Sequence, residues 1–135
     1  MKSLWNNDAA KKFGRGLLSQ RIYTSRLLGA NPGLVLHGGG NTSVKVLEKD
    51  FFGKRADILY VKASGHDLAA IDEKGFSPCR MNALLQLAEM DHLSDSDMVD
   101  QFSASMLDRE SPRPSIEALA HAVIPHRFVD HTHAD

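Results

Sequence analysis

Apolar side chains recur at helical spacing through the first part of the chain, with basic residues between them. The apolar positions are Phe13, Leu17, Ile22 and Leu28. This pattern predicts one amphipathic helix over residues 8–28. Gly29 and the turn-forming sequence at residues 31–33 end the helix, because glycine and proline interrupt helical structure.

Short apolar runs after this helix predict strands. Residues 34–36 enter a glycine-rich segment, residues 44–47 form the returning strand, and residues 56–62 form the next one. A last strand is predicted from Arg127 to the end of the chain. The glycine-rich segment therefore connects two predicted strands.

Three further helices are predicted between these strands. Ser77 and Pro78 are expected to cap a helix with an apolar face. That face consists of Met81, Leu84, Leu85, Leu87 and Ala88. A short helix follows over residues 95–106, and Ser115 opens another helix that Pro125 closes. Helices between short strands predict a layered α/β domain.

Composition narrows the class of protein. The 135 residues include 42% hydrophobic residues, which is enough for the core of a single domain. The net charge is −1 from interspersed acidic and basic residues, so no basic stripe predicts binding to nucleic acid. The single Cys79 excludes an internal disulfide and suits a reducing compartment. With no apolar run of roughly 20 residues for a membrane span and no signal-peptide pattern, we expect a cytoplasmic protein.

The sequence ends with two histidines, His131 and His133, one residue apart. Alternate side chains of a strand share a face, so a strand here directs both imidazoles into one space. Two neutral imidazoles supply part of a first-row metal site. The alternative is two histidines at a frayed terminus.

A carboxylate precedes these histidines by one helix. Glu117 lies in the first turn of the helix opened by Ser115, and His121 follows it on the same helix face. A carboxylate near a two-histidine metal site is the arrangement that metal-assisted proton transfer requires. The alternative is that Glu117 only stabilises the end of the helix, although the spacing from Ser115 to Glu117 does not fit a capping box.

Small and polar residues at other loops are candidates for binding an anion. Gly38–Asn41 offers free backbone N–H groups and an amide, although a plain hairpin turn uses such a sequence too. Ser64 and Gly65 follow the strand at residues 56–62. Lys62 at the end of that strand is a candidate phosphate partner, although a solvated lysine is commoner at a strand end and is expected here. Ser115 stands at a helix N-terminus, where free N–H groups attract anions.

These segments, in this order, resemble the class II aldolase/adducin family, which includes fuculose and rhamnulose phosphate aldolases. The matching segments are residues 39–43 (GGNTS), 63–65 (ASG), 114–117 (PSIE) and 131–133 (HTH). More narrowly, residues 36–43 and 129–135 resemble the N-terminal aldolase part of bifunctional aldolase/short-chain dehydrogenase proteins. The resemblance implies an α/β/α fold with a central, largely antiparallel sheet.

The resemblance also implies roles for individual residues. His131 and His133 would bind Zn²⁺ or another divalent metal, and Glu117 would be the catalytic acid/base that also contacts the metal. The phosphate pocket would be formed by Gly40, Asn41, Ser64, Gly65 and Ser115. The implied reaction is zinc-dependent retro-aldol cleavage of a sugar phosphate such as rhamnulose 1-phosphate, giving dihydroxyacetone phosphate and an aldehyde. A homo-oligomer is expected, since the family's active sites usually lie between subunits.

Two departures from the family pattern qualify these expectations. Ile116 stands where simpler aldolases often have a second serine, so one phosphate donor is missing. The family's third zinc-binding histidine lies downstream of the His-x-His pair, and His37, His66, His92, His121 and His126 all precede that pair. We therefore expect residues 1–135 to be one incomplete aldolase-like domain, truncated at its C-terminus, with little aldolase activity in isolation. The alternatives are an adducin-like interaction domain without catalysis and a sugar-phosphate epimerase of the same superfamily.

Overall fold

The computed structural model describes residues 2–36, 38–49 and 52–134. One sheet is formed by four strands: β1 (Asn41–Lys49), β2 (Arg55–Lys62), β3 (Phe76–Arg80) and β4 (Phe128–His131). Their order is β3-β2-β1-β4, and every neighbouring pair is antiparallel. β4 therefore lies at an edge of the sheet, next to β1.

Helices cover the two faces of this sheet. They are α1 (Asn7–Phe13), α2 (Leu17–Gly29), α3 (Met81–Ala88), α4 (Asp95–Ser105) and α5 (Ala118–Val123). A short 3₁₀ turn, Glu73–Gly75, leads into β3. Within the described residues, every helix is too short or too polar to span a bilayer.

Alternating side chains of β2 divide the core into two layers. Leu59 and Val61 are fully buried in the cluster formed with α3, α4 and α5. Tyr60 packs on the opposite face, against the cluster that contains Ile22 of α2 and Phe76. Burial of both faces is what a sheet between two helical layers requires. The prediction of an α/β/α fold with an antiparallel sheet is thereby confirmed.

The prediction of one continuous helix over residues 8–28 is wrong, because the chain breaks between α1 and α2. Gly14 has a φ of 111°, a conformation that side chains disfavour, and it ends α1. Gly16 is extended and precedes α2. Apolar periodicity continues across the break, so the hydrophobic pattern alone does not reveal it.

The first predicted strand is also absent from the described chain. The N–H groups of Leu34 and Val35 both donate to the carbonyl of Asn31, at 3.0 Å, so residues 34–36 follow a turn. The glycine segment therefore leads into β1 rather than joining two strands of a hairpin. β1 itself begins at Asn41, three residues before the predicted start at residue 44.

Two predicted helix starts fall in the wrong place. Ser77 and Pro78 lie inside β3, where Pro78 pairs with Tyr60 of β2, and α3 begins only at Met81. Proline is compatible with a strand at the edge of a sheet. Ser115 likewise precedes α5 by a turn, since that helix begins at Ala118. The short helix predicted over residues 95–106 is confirmed as α4, with Ser94 as its cap.

Candidate metal centre and ligand pocket

The candidate site lies at one end of the sheet. β1 begins there at Asn41, β2 ends there at Lys62, and β4 ends there at His131. Glu117 immediately precedes α5, whose buried side packs against β2. Antiparallel pairing thus brings residues from distant parts of the sequence to the same edge.

Glu117, His131 and His133 come together at this end. One candidate ligand atom from each side chain lies within 4.8 Å of the other two. The Nδ1 atom of His131 is 3.0 Å from Oε1 of Glu117, and the two imidazole centroids are 4.7 Å apart. The side chains of His131 and Glu117 are 45% and 30% exposed, so a cation from solvent can reach them. Two imidazoles and a carboxylate are a donor set that zinc uses in catalytic sites, where three protein ligands leave positions open.

β4 ends earlier than the sequence indicates. Asn41 pairs with His131, and the ladder ends with that pair because Gly40 has a φ of 71°, which is outside the strand conformation. His133 therefore lies beyond the strand, and its proximity to His131 does not come from strand alternation. Asp135, the end of the predicted strand, lies outside the described residues, as does His37.

Gly39 packs directly against His133. A Cβ atom on Gly39 would lie 3.1 Å from Nδ1 of His133 and 3.0 Å from the carbonyl oxygen of Leu36. Both distances are shorter than ordinary carbon contacts, so a side chain at this position would displace the imidazole or the loop. The glycine segment therefore sets the position of the second histidine, a role that the sequence pattern did not indicate.

We expect the substitution Gly39→Ala to weaken Zn²⁺ binding by about tenfold, which is about 1.4 kcal/mol. The physical reason is the steric displacement of His133. Chelator competition on Gly39→Ala, His133→Ala and the double variant measures this effect. If Gly39 acts through His133, the alanine at position 39 adds no further loss once His133 is gone. An equal loss in both backgrounds would contradict the prediction.

Gly40 and Asn41 adjoin the metal-binding candidates. A Cβ on Gly40 would lie 3.0 Å from the carbonyl oxygen of His131, so only glycine lets the loop pass this close to β4. Asn41 is 1% exposed, and its Oδ1 atom has no hydrogen-bond partner among the described residues. A buried amide oxygen without a partner is unusual, and a hydrogen-bond donor from a water or a ligand would satisfy it.

Ser64, Gly65 and Ser115 form a second group at the same end of the sheet. Ala63 and Pro114 form an isolated antiparallel bridge, and the N–H of Ser64 donates to the carbonyl of Arg113 at 3.2 Å. Ser64 and Gly65 are exposed, and Gly65 has a φ of 80°. The hydroxyl of Ser115 accepts from the N–H of Glu117 at 3.3 Å, which links this group to the carboxylate.

Lys62 is buried, contrary to the expectation of a solvated lysine. It is 5% exposed, and its Nζ donates to the carbonyl of Gly38 at 3.3 Å. Burial lowers the pKa of the Lys62 ammonium, while Glu117 and Asp67 oppose that shift. A lysine at a strand end carries no sequence signal of burial, because only the fold of the glycine segment covers it.

His121 lies beneath the cluster rather than in it. It is 2% exposed, its Nδ1 is 2.8 Å from the hydroxyl oxygen of Ser43, and no described residue pairs with its Nε2. Burial lowers its pKa to about 4, with Glu117 opposing that shift and His131 adding to it. A neutral imidazole therefore connects α5 to β1, one helical turn after Glu117.

This buried histidine predicts acid sensitivity in the metal-free protein. The unfolded chain takes up a proton at the ordinary pKa of 6.5, whereas folded His121 resists protonation until about pH 4. The free energy of unfolding therefore decreases as the pH falls through this window, by on the order of 3 kcal/mol from His121. Urea unfolding of wild type and His121→Gln with EDTA measures the difference. Parallel pH dependences of the two proteins would contradict this assignment.

Comparison with known proteins agrees with this fold. The family described as Class II Aldolase and Adducin N-terminal domain matches residues 19–135, and the chain belongs to this family. Over 135 residues it is 40% identical to the "Uncharacterized oxidoreductase YuxG" of Bacillus subtilis (strain 168). This match covers 100% of the chain and 19% of YuxG. The chain thus spans about a fifth of that relative's length. The solved N-terminal class II aldolase domain of a conserved protein from Thermoplasma acidophilum matches with a TM-score of 0.88 and 43% identity, over 100% of this chain and 61% of that one.

Proposed function

We propose that this domain carries a zinc-dependent aldolase site that cleaves a ketose 1-phosphate, such as rhamnulose 1-phosphate, into dihydroxyacetone phosphate and an aldehyde. The observation that carries the proposal is the cluster of Glu117, His131 and His133 beside two loops suited to an anion. Membership of the class II aldolase and adducin family supports the reaction class.

A divalent metal held by His131 and His133, with Glu117 close enough to join them, would supply a Lewis acid for the substrate's carbonyl and hydroxyl oxygens. The chain's own contribution is to hold the two imidazoles 4.7 Å apart at their centroids, on a strand end and the loop after it. Gly39 and Gly40 leave room for both histidines, as their close contacts with His133 and His131 indicate.

Glu117 is proposed to move the protons of the reaction. In a retro-aldol cleavage, the hydroxyl on the departing carbon loses its proton as the carbon–carbon bond breaks. The electron pair of that bond passes to the carbon next to the carbonyl, which then takes up a proton. As a carboxylate Glu117 accepts the first proton, and as a carboxylic acid it supplies the second. Its partial exposure, 30%, leaves it accessible to a substrate.

The phosphate group is proposed to bind between the two loops. Gly40 and Asn41 contribute one side, and Ser64, Gly65 and Ser115 contribute the other. Hydroxyl groups, the amide N–H groups of Asn41 and backbone N–H groups suit phosphate oxygens because each donates a hydrogen bond to an acceptor. Buried Lys62 adds a positive charge near both groups, through its contact with the carbonyl of Gly38. Ile116 is 71% exposed beside Ser115 and provides no hydroxyl for this pocket.

The longer relative suggests a context for the product. YuxG is called an oxidoreductase, and this chain corresponds to 19% of its length. We propose that an oxidoreductase acts on the aldehyde released by the aldolase site. We also propose that the chain assembles as a homo-oligomer, as the family pattern implies.

Incubation of the protein with rhamnulose 1-phosphate and Zn²⁺, Mn²⁺ or Co²⁺ tests the proposed reaction. The expected products are dihydroxyacetone phosphate and an aldehyde, quantified separately, with activity lost on addition of EDTA and restored by metal. One isomeric sugar phosphate instead of two fragments would assign an epimerase. Absence of both turnover and bound metal would favour the adducin-like interaction domain.

A further inference from the structure

The strand that presents His131 is short and supported on one side. β4 comprises four residues and, among the described strands, pairs only with β1. Val129 is its one buried side chain, while Phe128 is 37% exposed. Hydrophobic pattern therefore specifies the register of this strand weakly, and a slip of one residue would move every side chain to the other face.

The present register separates the strand's side chains between two helical layers. Val129 pairs with Ser43, whose hydroxyl meets His121 of α5, so Val129 and His131 face the α5 layer. Phe128 and Asp130 face the α2 layer. Glu117 lies on the α5 side, so His131 meets it only in this register.

Arg21 of α2 contacts three consecutive residues of β4. Its Nη1 donates to the carbonyl of Val129 at 3.4 Å and to that of Ser43, the partner of Val129, at 3.2 Å. Its Nη2 is 2.6 Å from Oδ1 of Asp130. The guanidinium carbon lies 5.6 Å from the centroid of the Phe128 ring. Arg21 thus binds the two side chains that belong on the α2 face and the backbone between them.

Burial of the charged Arg21 side chain costs folding free energy. Arg21 is 1% exposed, and its Nε has no hydrogen-bond partner among the described residues. Burial lowers its pKa, and Asp130 only partly opposes that effect. Removing a charge from water often costs as much as an ion pair returns, so such a pair is a poor source of stability. Fixing a register is the better-attested use of a buried polar group.

We infer that Arg21 and Asp130 are positioning residues that fix the register of β4 and so hold His131 against Glu117. The part of this inference that concerns metal binding rests on the proposed function, whereas the part that concerns the register of β4 does not. In the slipped register His131 would face α2, away from the carboxylate. Groups that orient metal ligands in this indirect way typically change metal affinity by about 10–100-fold.

Two variants test this inference. Arg21→Gln removes the charge and the fork of donors, and Asp130→Asn leaves Arg21 in place while weakening its ion pair at a half-exposed position. Ser25→Ala is the control, because it removes buried hydrogen bonds to Thr42 of β1, at 2.8 Å, and to the backbone carbonyl of Arg21, at 2.6 Å, and leaves the guanidinium of Arg21 and its contacts with β4 in place. Each protein is examined for thermal stability, for amide exchange without metal, and for Zn²⁺ affinity by chelator competition.

We expect faster amide exchange confined to β4 and about tenfold weaker Zn²⁺ binding in Arg21→Gln and Asp130→Asn. Ser25→Ala should lower stability while leaving both properties unchanged. Unaltered β4 exchange in Asp130→Asn, or faster β4 exchange with wild-type affinity, would overturn the inference. An equal loss of affinity in Ser25→Ala would overturn it too. If the wild-type protein binds no zinc, the proposed function fails, and the exchange data alone decide whether Arg21 fixes the strand.

Discussion

Replacing His131 and His133 together with alanine is expected to reduce Zn²⁺ affinity by on the order of a thousandfold, about 4 kcal/mol. The two imidazoles are two of the three side chains that converge within 4.8 Å. Without them Glu117 is left as a single, partly exposed carboxylate, which binds a first-row metal weakly. Competition against a chromogenic chelator measures the loss directly, with metal content per chain as a second reading.

The matched control is the double variant His92→Ala, His126→Ala. Both of these histidines are exposed and lie outside the cluster, so the control removes the same number of imidazoles. Its zinc affinity should equal that of the wild type. Equal losses in the two double variants would assign the binding to scattered surface histidines and contradict the proposed centre.

Glu117→Gln is expected to reduce the rate of cleavage by about a thousandfold, within the range that a general acid/base supplies. Glutamine keeps the size and an oxygen of the side chain, but an amide neither accepts nor delivers the proton. Zinc affinity should fall much less than turnover, because both histidines remain. Single-turnover cleavage with metal at saturating concentration separates the two effects.

Glu89→Gln provides the comparison for this variant, since Glu89 is exposed and lies just after α3. It should have wild-type turnover. A Glu117→Gln protein that cleaves at the wild-type rate would remove Glu117 from the proposed proton transfer. A loss of turnover fully explained by lost metal would instead restrict Glu117 to binding the metal.

The local sequence was sufficient to predict the helices and strands whose formation depends on neighbouring residues. The apolar run within residues 56–62 predicted β2 to within one residue, and the short helix over residues 95–106 is α4. β2 contains a continuous apolar run, and α4 begins at an Asp-Ser-Asp sequence that is typical of a helix N-terminus. Ser77 and Pro78 misled the prediction because a cap sequence and an edge strand use the same residues. In that case pairing with β2, a tertiary contact, decided the conformation.

The candidate site likewise contains residues that the sequence indicated and residues whose contacts only the fold revealed. Spacing along the chain, and then the family resemblance, identified Glu117, His131 and His133 as one candidate set, and their roles remain predictions. The contacts of Gly39, Lys62 and Arg21 gave no local signal, because each residue acts through a partner far along the chain. Arg21 and Val129, for example, are 108 positions apart. Only packing brings such pairs into contact, and a pattern within one segment carries no record of it.

The amino-acid sequence by itself determined the apolar run of β2, the turn-forming glycines and the pair of histidines one residue apart, since these follow from backbone preferences and spacing. Tertiary contacts determined where the strands end and which site residues come together. Asn41 pairs with His131, so β4 ends at His131 and His133 turns back toward Gly39. Pairing of Ala63 with Pro114 carries Ser115 to the sheet end beside Ser64. These contacts join segments that have no local interaction, and their energy comes from burying both faces of one sheet.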